Sequence, residues 1–185
     1  MSPRVHRLLS RLLAAVGAAT LAFVLVGIPL YIVPVSDSAQ PTDVVFILGP
    51  ATTEDIVIAR TILAQGLSEN LLLSVGPPNT RSPELRSLCT TPQAFKVECE
   101  IPSPSTTQGE ARMLQSAAQQ HGWTSATVIT QTAHVTRSRL IIARCFTGDL
   151  RLIADEAPLG FRGWAQQYLY QSGAFLKAAF VTNTC

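Results

Sequence analysis

Apolar residues follow three different spacings along this chain. From Leu12 to Ser36 there is no charged residue, and as a helix this run would rise about 37 Å, which exceeds a hydrocarbon core of about 30 Å. Beyond it, short β-branched apolar runs alternate with segments whose apolar residues recur at helical spacing. The alternation predicts an α/β domain with a mostly parallel sheet, preceded by one transmembrane helix.

The predicted elements follow in a regular order. Strands are expected at Asp43 to Leu48, Leu71 to Val75, Ala94 to Ile101, Ala126 to Ile129 and Leu150 to Ala154. Helices are expected from Thr52 to Gly66, from Thr107 to about His121, from His134 to Cys145 and from about Gly163 to Val181. Prolines between residues 77 and 105 predict a mostly irregular excursion before the third strand. These elements predict a three-layer α/β sandwich with a mostly parallel sheet.

Charges at the two ends of the first apolar run predict its orientation. Arg4, Arg7 and Arg11 precede the run and Asp37 follows it, so the positive-inside rule puts the N-terminus in the cytoplasm. We therefore expect a single-pass protein of the cell membrane: residues 1–11 form a cytoplasmic basic tail, 12–35 an anchor, 36–42 a linker, and 43–185 an extracytoplasmic domain. A cleaved signal peptide is the alternative, but its apolar region usually spans about 7 to 15 residues.

Composition narrows the classes of partner. The chain is 47% hydrophobic and 14% charged, with a formal net charge of +2. Such a small positive charge does not favour nucleic acid as a partner. The membrane, through the N-terminal helix, is the partner that the composition favours.

Four cysteines, Cys89, Cys99, Cys145 and Cys185, agree with an extracytoplasmic domain. An even number outside the cytoplasm favours disulfides, although four cysteines allow three pairings. Proximity along the chain favours Cys89 with Cys99, and four free thiols are the alternative. No CxxC or Cys/His ligand spacing is present, so we expect no metal site.

The segment from Ala126 to Cys145 is the strongest candidate for a functional site. Its spacing changes from strand to helix near Thr130, and His134 and Arg137 follow at once. Ligands of open α/β sheets bind at the carboxyl ends of strands, and residues three apart share a helix face. The two side chains can therefore hold one anionic group together. The alternative is that His134 caps the helix and Arg137 is a solvated surface residue.

Four segments together resemble the YdcF/SanA/ElyC family of bacterial envelope proteins. The first is a strand that begins with Asp and ends in Leu-Gly, at Asp43 to Gly49. The others are a strand end with Ser74 and Gly76, a helix start with Thr107, Glu110 and Ala111, and the sequence Ile129, Thr130, His134 and Arg137. The resemblance implies a Rossmann-like domain, often with an N-terminal anchor, and covers residues 43 to about 177.

Three departures separate this chain from many members of that family. Pro50 follows Gly49 where paired glycines are common, which removes a backbone donor. Glu54 and Asp55 occupy the place of an arginine, and Gly109-Glu110 stands where Glu-Asn is common.

The expected site combines the two sources of inference. His134 and Glu110 are the predicted catalytic residues. The predicted ligand-binding residues are Gly49, Ser74, Gly76, Thr107, Thr130 and Arg137. Thr107 and Glu110 also have a plain structural interpretation, since Thr-x-x-Glu forms a capping box at a helix start.

Three functions are compatible with these expectations. The first is binding or processing of a phosphate-bearing metabolite, such as a lipid-linked precursor, in envelope biogenesis. The second is binding of S-adenosylmethionine or a nucleotide, a cofactor class that the resemblance allows although the residues themselves indicate no cofactor. The third is a non-catalytic interaction module of the envelope.

Overall fold

A long apolar helix begins the part of the chain that the structure describes, residues 3–185 of a computed structural model. Helix α1 spans Pro3–Gly27 and continues into a π-helical turn at Ile28–Ile32. The segment Arg4–Ile32 is long and apolar enough to cross a membrane, and it is the one such segment among the described residues. Met1 and Ser2 of the predicted cytoplasmic tail lie outside the described range.

Five parallel strands form the centre of the domain. They are β1 (Val44–Ile47), β2 (Asn70–Ser74), β3 (Lys96–Glu100), β4 (Ser125–Gln131) and β5 (Asp149–Asp155). Their order in the sheet is β3-β2-β1-β4-β5, and every pairing is parallel. The predicted Rossmann-like sheet is thus confirmed. Strand β1 is buried along its whole length, which explains its continuous apolar run.

Helices cover both faces of this sheet. They are α2 (Thr53–Ala64), α3 (Pro83–Thr90), α4 (Thr107–His121), α5 (Val135–Ile142) and α6 (Phe161–Phe180). Apolar residues of α4 and α5 form one core with alternate residues of β1, including Phe46, whereas α2 and α3 form a second core around Val45 and Ile47. The domain is therefore the predicted three-layer sandwich.

Helix α3 corrects the expectation of an irregular excursion between residues 77 and 105. Pro83 occupies the first helical turn, where its missing N–H costs nothing. The Ser82 hydroxyl accepts a hydrogen bond from the Leu85 amide at 3.2 Å, and Leu85 and Leu88 are buried in the second core. The many prolines of this region predicted irregular structure throughout, and the short amphipathic helix among them was therefore not predicted.

The four cysteines form two disulfides. Cys89 bonds to Cys99 and thereby links α3 to β3. Cys145 bonds to Cys185, which holds the C-terminus beside the end of α5. The pairing that sequence proximity favoured is the one observed.

The segment predicted as a linker packs along the outer edge of β5. The Asp37 amide donates to the Leu152 carbonyl at 2.7 Å, and Asp37 Oδ2 accepts from the Leu152 amide at 2.7 Å. Ser36 Oγ accepts from the Ala154 amide at 3.0 Å. Arg139 forms a 2.8 Å salt bridge with Asp37. The edge strand is thereby covered, and the domain is held close to the end of α1.

The C-terminal end of the apolar segment is packed into the domain. Tyr31 is buried against Tyr168 of α6, with ring centroids 5.1 Å apart. Its hydroxyl lies 3.1 Å from Ser172 Oγ, and Thr136 of α5 donates to the Leu30 carbonyl at 2.8 Å. Residues 30 and 31 therefore belong to the folded domain as much as to the apolar helix.

The Asp37 clamp is testable by substitution. Burial opposes ionisation of Asp37, but the Leu152 amide and the Arg139 guanidinium lower the pKa of this carboxyl below its usual value. Asp37→Ala removes a charge-assisted acceptor and is expected to lower the free energy of unfolding by about 1.5 to 3 kcal/mol. Urea unfolding of the full chain in detergent micelles measures this loss.

Asp149→Ala is the matched control. Asp149 also pairs with an arginine, Arg151, at 2.9 Å, but its side chain is 58% exposed. Such surface pairs contribute about 0 to 1 kcal/mol. Equal losses in the two variants would contradict the clamp.

Candidate functional site

A cavity of about 760 Å³ opens at the carboxyl edge of the sheet, beside β1 and β4. In the sheet, β2 and β3 lie on one side of β1, and β4 and β5 lie on the other. The strand order therefore reverses between β1 and β4, and this cavity lies at that topological switch point. The structure brings all eight predicted catalytic and ligand-binding residues to the lining of this cavity: Gly49, Ser74, Gly76, Thr107, Glu110, Thr130, His134 and Arg137.

Arg137 places a buried positive charge in the cavity wall. The residue is only 8% exposed, and it forms no salt bridge with any residue of the range 3–185. Its Nε donates to Gln171 Oε1 at 2.8 Å, Nη1 donates to Thr107 Oγ1 at 3.4 Å, and the guanidinium lies 5.8 Å from the centre of the Tyr170 ring. Burial lowers the pKa of Arg137, against the attraction of Tyr170 and Glu110. An arginine keeps its proton in such a setting, so the guanidinium stays charged, and among residues 3–185 no carboxylate forms a salt bridge with it.

His134 lies beside this charge and is neutral. Its Nε2 lies 3.3 Å from Thr107 Oγ1, and Nδ1 is buried with no hydrogen-bond partner among the described residues. Burial and the neighbouring Arg137 lower the pKa of His134 to about 3. The imidazole can therefore accept a proton or donate its one N–H, but it carries no charge at neutral pH.

Glu110 does not form the predicted capping box. The N-cap of α4 is Thr106, whose Oγ1 accepts from the Gly109 amide at 3.3 Å. Glu110 Oε1 instead accepts from the Gly49 amide at 2.7 Å, and only 4% of Glu110 is exposed. The Thr-x-x-Glu pattern thus predicted the helix correctly but placed its cap one residue late. Burial raises the pKa of Glu110, although Ser74, the Gly49 amide and Arg137 act against it.

Two glycines, Gly49 and Gly109, leave little or no room for a side chain near Glu110. A Cβ at Gly49 would lie 3.0 Å from Ser74 Oγ and 3.4 Å from Glu110 Oε1, which is tighter than ordinary van der Waals contact. A Cβ at Gly109 would overlap the Pro104 carbonyl. The close approach of the preceding loop therefore explains why residue 109 is glycine.

Asp55 was not among the predicted site residues. It completes the capping box at the start of α2, because Oδ2 accepts from the Thr52 amide at 2.8 Å. Its Oδ1, however, is buried without a hydrogen-bond partner among residues 3–185, and Asp55 also lines the cavity. Thr52 Oγ1 donates to Asp155 Oδ2 at 3.1 Å, so a second buried carboxyl lies nearby. Burial, with a smaller contribution from Asp155, raises the pKa of Asp55 to about 6.

Helix α6 supplies the other residues that the sequence reasoning missed. Gln171 is buried and holds Arg137, while Gln167, Tyr170 and Lys177 line the cavity. No local pattern indicates where the last helix of a chain will pack, so these residues were not predictable individually. The one sequence feature that could have indicated them is the pair of glutamines at 167 and 171, one turn apart on a mostly apolar helix. In the structure these two side chains are hydrogen-bonded at 3.1 Å.

No cluster of three or more His, Cys, Asp or Glu side chains within residues 3–185 is arranged to hold a metal ion. Comparisons of the chain with models of protein families, with curated proteins and with solved structures found no match. The chemistry of the site therefore depends on four groups: the buried cation of Arg137, the neutral imidazole of His134, and the carboxyls of Asp55 and Glu110, whose pKa values are raised.

Asp55 gives the stability of the protein a distinct pH dependence. An unfolded aspartate titrates near about 3.9, and the folded group near about 6, so the stabilising effect of its protonated form is present below about pH 4 and is lost as the pH rises through about 6. The stability of Asp55→Asn relative to the unsubstituted chain is expected to increase by about 2 to 3 kcal/mol between about pH 4 and 7.5.

Unfolding in detergent micelles at several pH values measures this difference. Glu54→Gln, one residue away but exposed, is the control and should show little change in its relative stability with pH. A difference between Asp55→Asn and the unsubstituted chain that stays constant with pH would contradict the raised pKa.

Proposed function

We propose that this chain is a membrane-anchored extracytoplasmic protein of the YdcF/SanA/ElyC type, which binds a phosphate-bearing, lipid-linked metabolite of envelope biogenesis. The observation that carries the proposal is the buried Arg137 guanidinium, which faces a cavity and has no carboxylate partner among residues 3–185. A buried charge is strongly disfavoured unless an opposite charge accompanies it. A phosphate oxygen beside Arg137 would supply that charge.

The surroundings of Arg137 also favour an anion. The first turn of α4, at Thr107 and Gln108, lines the same cavity, and a helix N-terminus favours negative charge through its dipole and free amides. Lys177 adds a second cation to the lining. The raised pKa of Glu110 reduces the repulsion that a carboxylate would exert on a phosphate.

These charges make phosphate the better ligand than S-adenosylmethionine. The reactive sulfonium of that cofactor is positive, and it would lie in a cavity that already contains a guanidinium with no salt bridge among residues 3–185. Like charges in a buried site repel each other. The cavity volume, about 760 Å³, is within the range of small-molecule sites, about 300 to 1,000 Å³.

The lipid part of the proposal comes from the position of the cavity. Helix α6 lines the cavity with Tyr170 and Gln171, and the same helix contacts the apolar N-terminal segment through Tyr168. A ligand in the cavity is thus separated from α1 by only one helix. The burial of Tyr31 in the domain supports an anchor that stays attached rather than a cleaved signal peptide. The disulfides support an oxidising compartment for the domain.

His134 and Glu110 give this site groups that can handle protons. The neutral imidazole can accept one, and a carboxyl with a raised pKa can hold one. The proposed function is ligand binding, and these two residues are where any reaction on the bound phosphate would begin.

Binding of a short-chain polyprenyl phosphate tests the ligand class. Arg137→Gln is expected to weaken binding by about 10- to 100-fold, because charge-assisted hydrogen bonds contribute about 1.5 to 3 kcal/mol. His134→Ala should weaken it less, since a neutral imidazole contributes at most one ordinary hydrogen bond. Calorimetric titration of the full chain in micelles measures the affinities.

Arg60→Gln, an exposed arginine of α2, is the control for loss of one positive charge. Inorganic phosphate and the polyprenol without phosphate separate the contributions of headgroup and tail. If the Arg137→Gln and Arg60→Gln variants bound the polyprenyl phosphate equally well, Arg137 would not be part of the binding site, and the proposal would be wrong.

The orientation is tested with a single introduced thiol. All four cysteines are in disulfides, so Ser38→Cys, at an exposed position after the anchor, provides the one reactive thiol in the chain. A membrane-impermeant maleimide is expected to label it in intact cells, whereas Ser2→Cys should be labelled only after lysis. The reverse pattern would place the domain in the cytoplasm.

A further inference from the structure

One face of α6 is apolar and uncovered. Its residues recur at helical spacing along the whole helix: Phe161, Ala165, Leu169, Gly173, Leu176 and Phe180. The exposed fractions of Leu169, Leu176 and Phe180 are 73%, 62% and 78%. We call this set the α6 stripe. A soluble surface rarely carries so continuous an apolar strip, so something is expected to cover it.

The residues that flank the stripe on the two sides of α6 have different neighbours. On one side, Trp164, Tyr168 and Phe175 pack around Tyr31 at the outer end of the apolar segment. On the other side, Tyr170 and Lys177 line the cavity. The stripe therefore continues an interface that α6 already makes with α1, and ends at the mouth of the proposed site.

The contact with α1 also sets the depth of α6. Tyr168 Oη donates to the Val24 carbonyl at 3.2 Å, and the Tyr168 and Phe23 rings are 6.0 Å apart. Arg4–Ile32 contains 29 residues, so its rise of about 43 Å matches a bilayer with its headgroups, about 40 to 45 Å. Val24 lies about 12 Å from the C-terminal end of that segment, which is about 5 Å below the headgroup layer of such a bilayer. Amphipathic helices bury their apolar faces to about 5 to 10 Å, so this contact suits a helix that lies at the boundary of headgroups and acyl chains.

The charges of α6 suit that position. The helix contains Arg162 and Lys177 and no Asp or Glu, and cations on an amphipathic helix are attracted to anionic headgroups. Its aromatic residues Trp164, Tyr168 and Tyr170 belong to the types enriched at membrane interfaces.

We propose that the α6 stripe lies in the interfacial layer of the membrane that α1 crosses, so that the cavity opens beside Tyr170 and Lys177 at the level of lipid headgroups. This inference rests on the anchored topology of the proposed function and deepens it. A lipid-linked phosphate can then reach Arg137 without its hydrocarbon tail leaving the membrane. The covering partner is the lipid surface itself.

Quenching of tryptophan fluorescence by brominated lipids tests this placement. The chain has two tryptophans, Trp123 and Trp164, and replacing both with phenylalanine gives a background without them. Leu169→Trp and Leu176→Trp then place single probes on the stripe. The full chain is reconstituted into vesicles of phosphatidylcholine and phosphatidylglycerol, with part of the phosphatidylcholine brominated on its acyl chains.

Two reference positions make the outcome decisive. Val16→Trp, on the exposed surface of α1 and 63% exposed in the native chain, reports insertion of the anchor, and Val57→Trp, on α2 and 56% exposed, reports a domain surface away from the membrane. We expect both stripe probes to lose most of their fluorescence, to an extent similar to the Val16 probe, while the Val57 probe keeps its own. Unchanged thermal unfolding of each variant shows that the fold is intact.

Failure of the inference differs from failure of the anchor. Quenching of the Val16 probe without quenching of the stripe probes overturns the placement of α6 and leaves the anchor standing. Blue-shifted stripe probes that brominated lipid does not quench show that a second copy of the chain covers the stripe, which also overturns it. An unquenched Val16 probe overturns the anchor and this inference together.

Discussion

The positive charge of Arg137 is buried without a carboxylate partner among the described residues, and the arrangement of the carboxyl edge of the sheet follows from it. A neutral amide from Gln171 and a neutral hydroxyl from Thr107 accept its hydrogen bonds. The imidazole beside it stays uncharged, since burial and the guanidinium both disfavour a second positive charge there. Glu110, the nearest candidate for a counterion, is instead held by the Gly49 amide on β1. Among residues 3–185 the guanidinium is therefore left without a salt bridge at the cavity wall.

The fold could be predicted because the apolar pattern is unambiguous where burial is complete. Strand β1 has both faces covered, and its uninterrupted apolar run has no helical alternative of sufficient length. That the candidate residues would lie close together could be predicted for a different reason. Parallel strands bring their carboxyl ends to one edge, so residues just after β1, β2 and β4 had to be neighbours before any side-chain position was known. Gly49, Ser74 and Thr130 are the residues at these strand ends.

The remaining features depend on contacts between segments far apart in sequence. Thr107 and Glu110 fit a capping box by spacing alone, but the loop before α4 supplies Thr106 as the cap and frees Glu110 to reach Gly49. Asp37 lies in a polar stretch that resembles a linker, yet the open edge of β5 offers the backbone groups that bind it. The position of α6 over the cavity depends on Tyr31 and Tyr168, whose contact joins two ends of the chain. None of these partners is encoded by local periodicity.

If the proposed phosphate binds beside Arg137, its binding would also affect the protonation of the neighbouring groups. His134 has a low pKa chiefly because it is buried and secondly because Arg137 is positive. A phosphate beside Arg137 would cancel part of that repulsion and add a negative charge next to the imidazole, and both effects raise the pKa of His134. Glu110 would respond in the same direction, since a nearby anion disfavours its ionised form. The two groups that could transfer protons are therefore the two whose protonation the ligand itself favours. If the proposed phosphate binds beside Arg137, its charge would therefore favour the protonated forms of both groups that acid–base chemistry at this site would use.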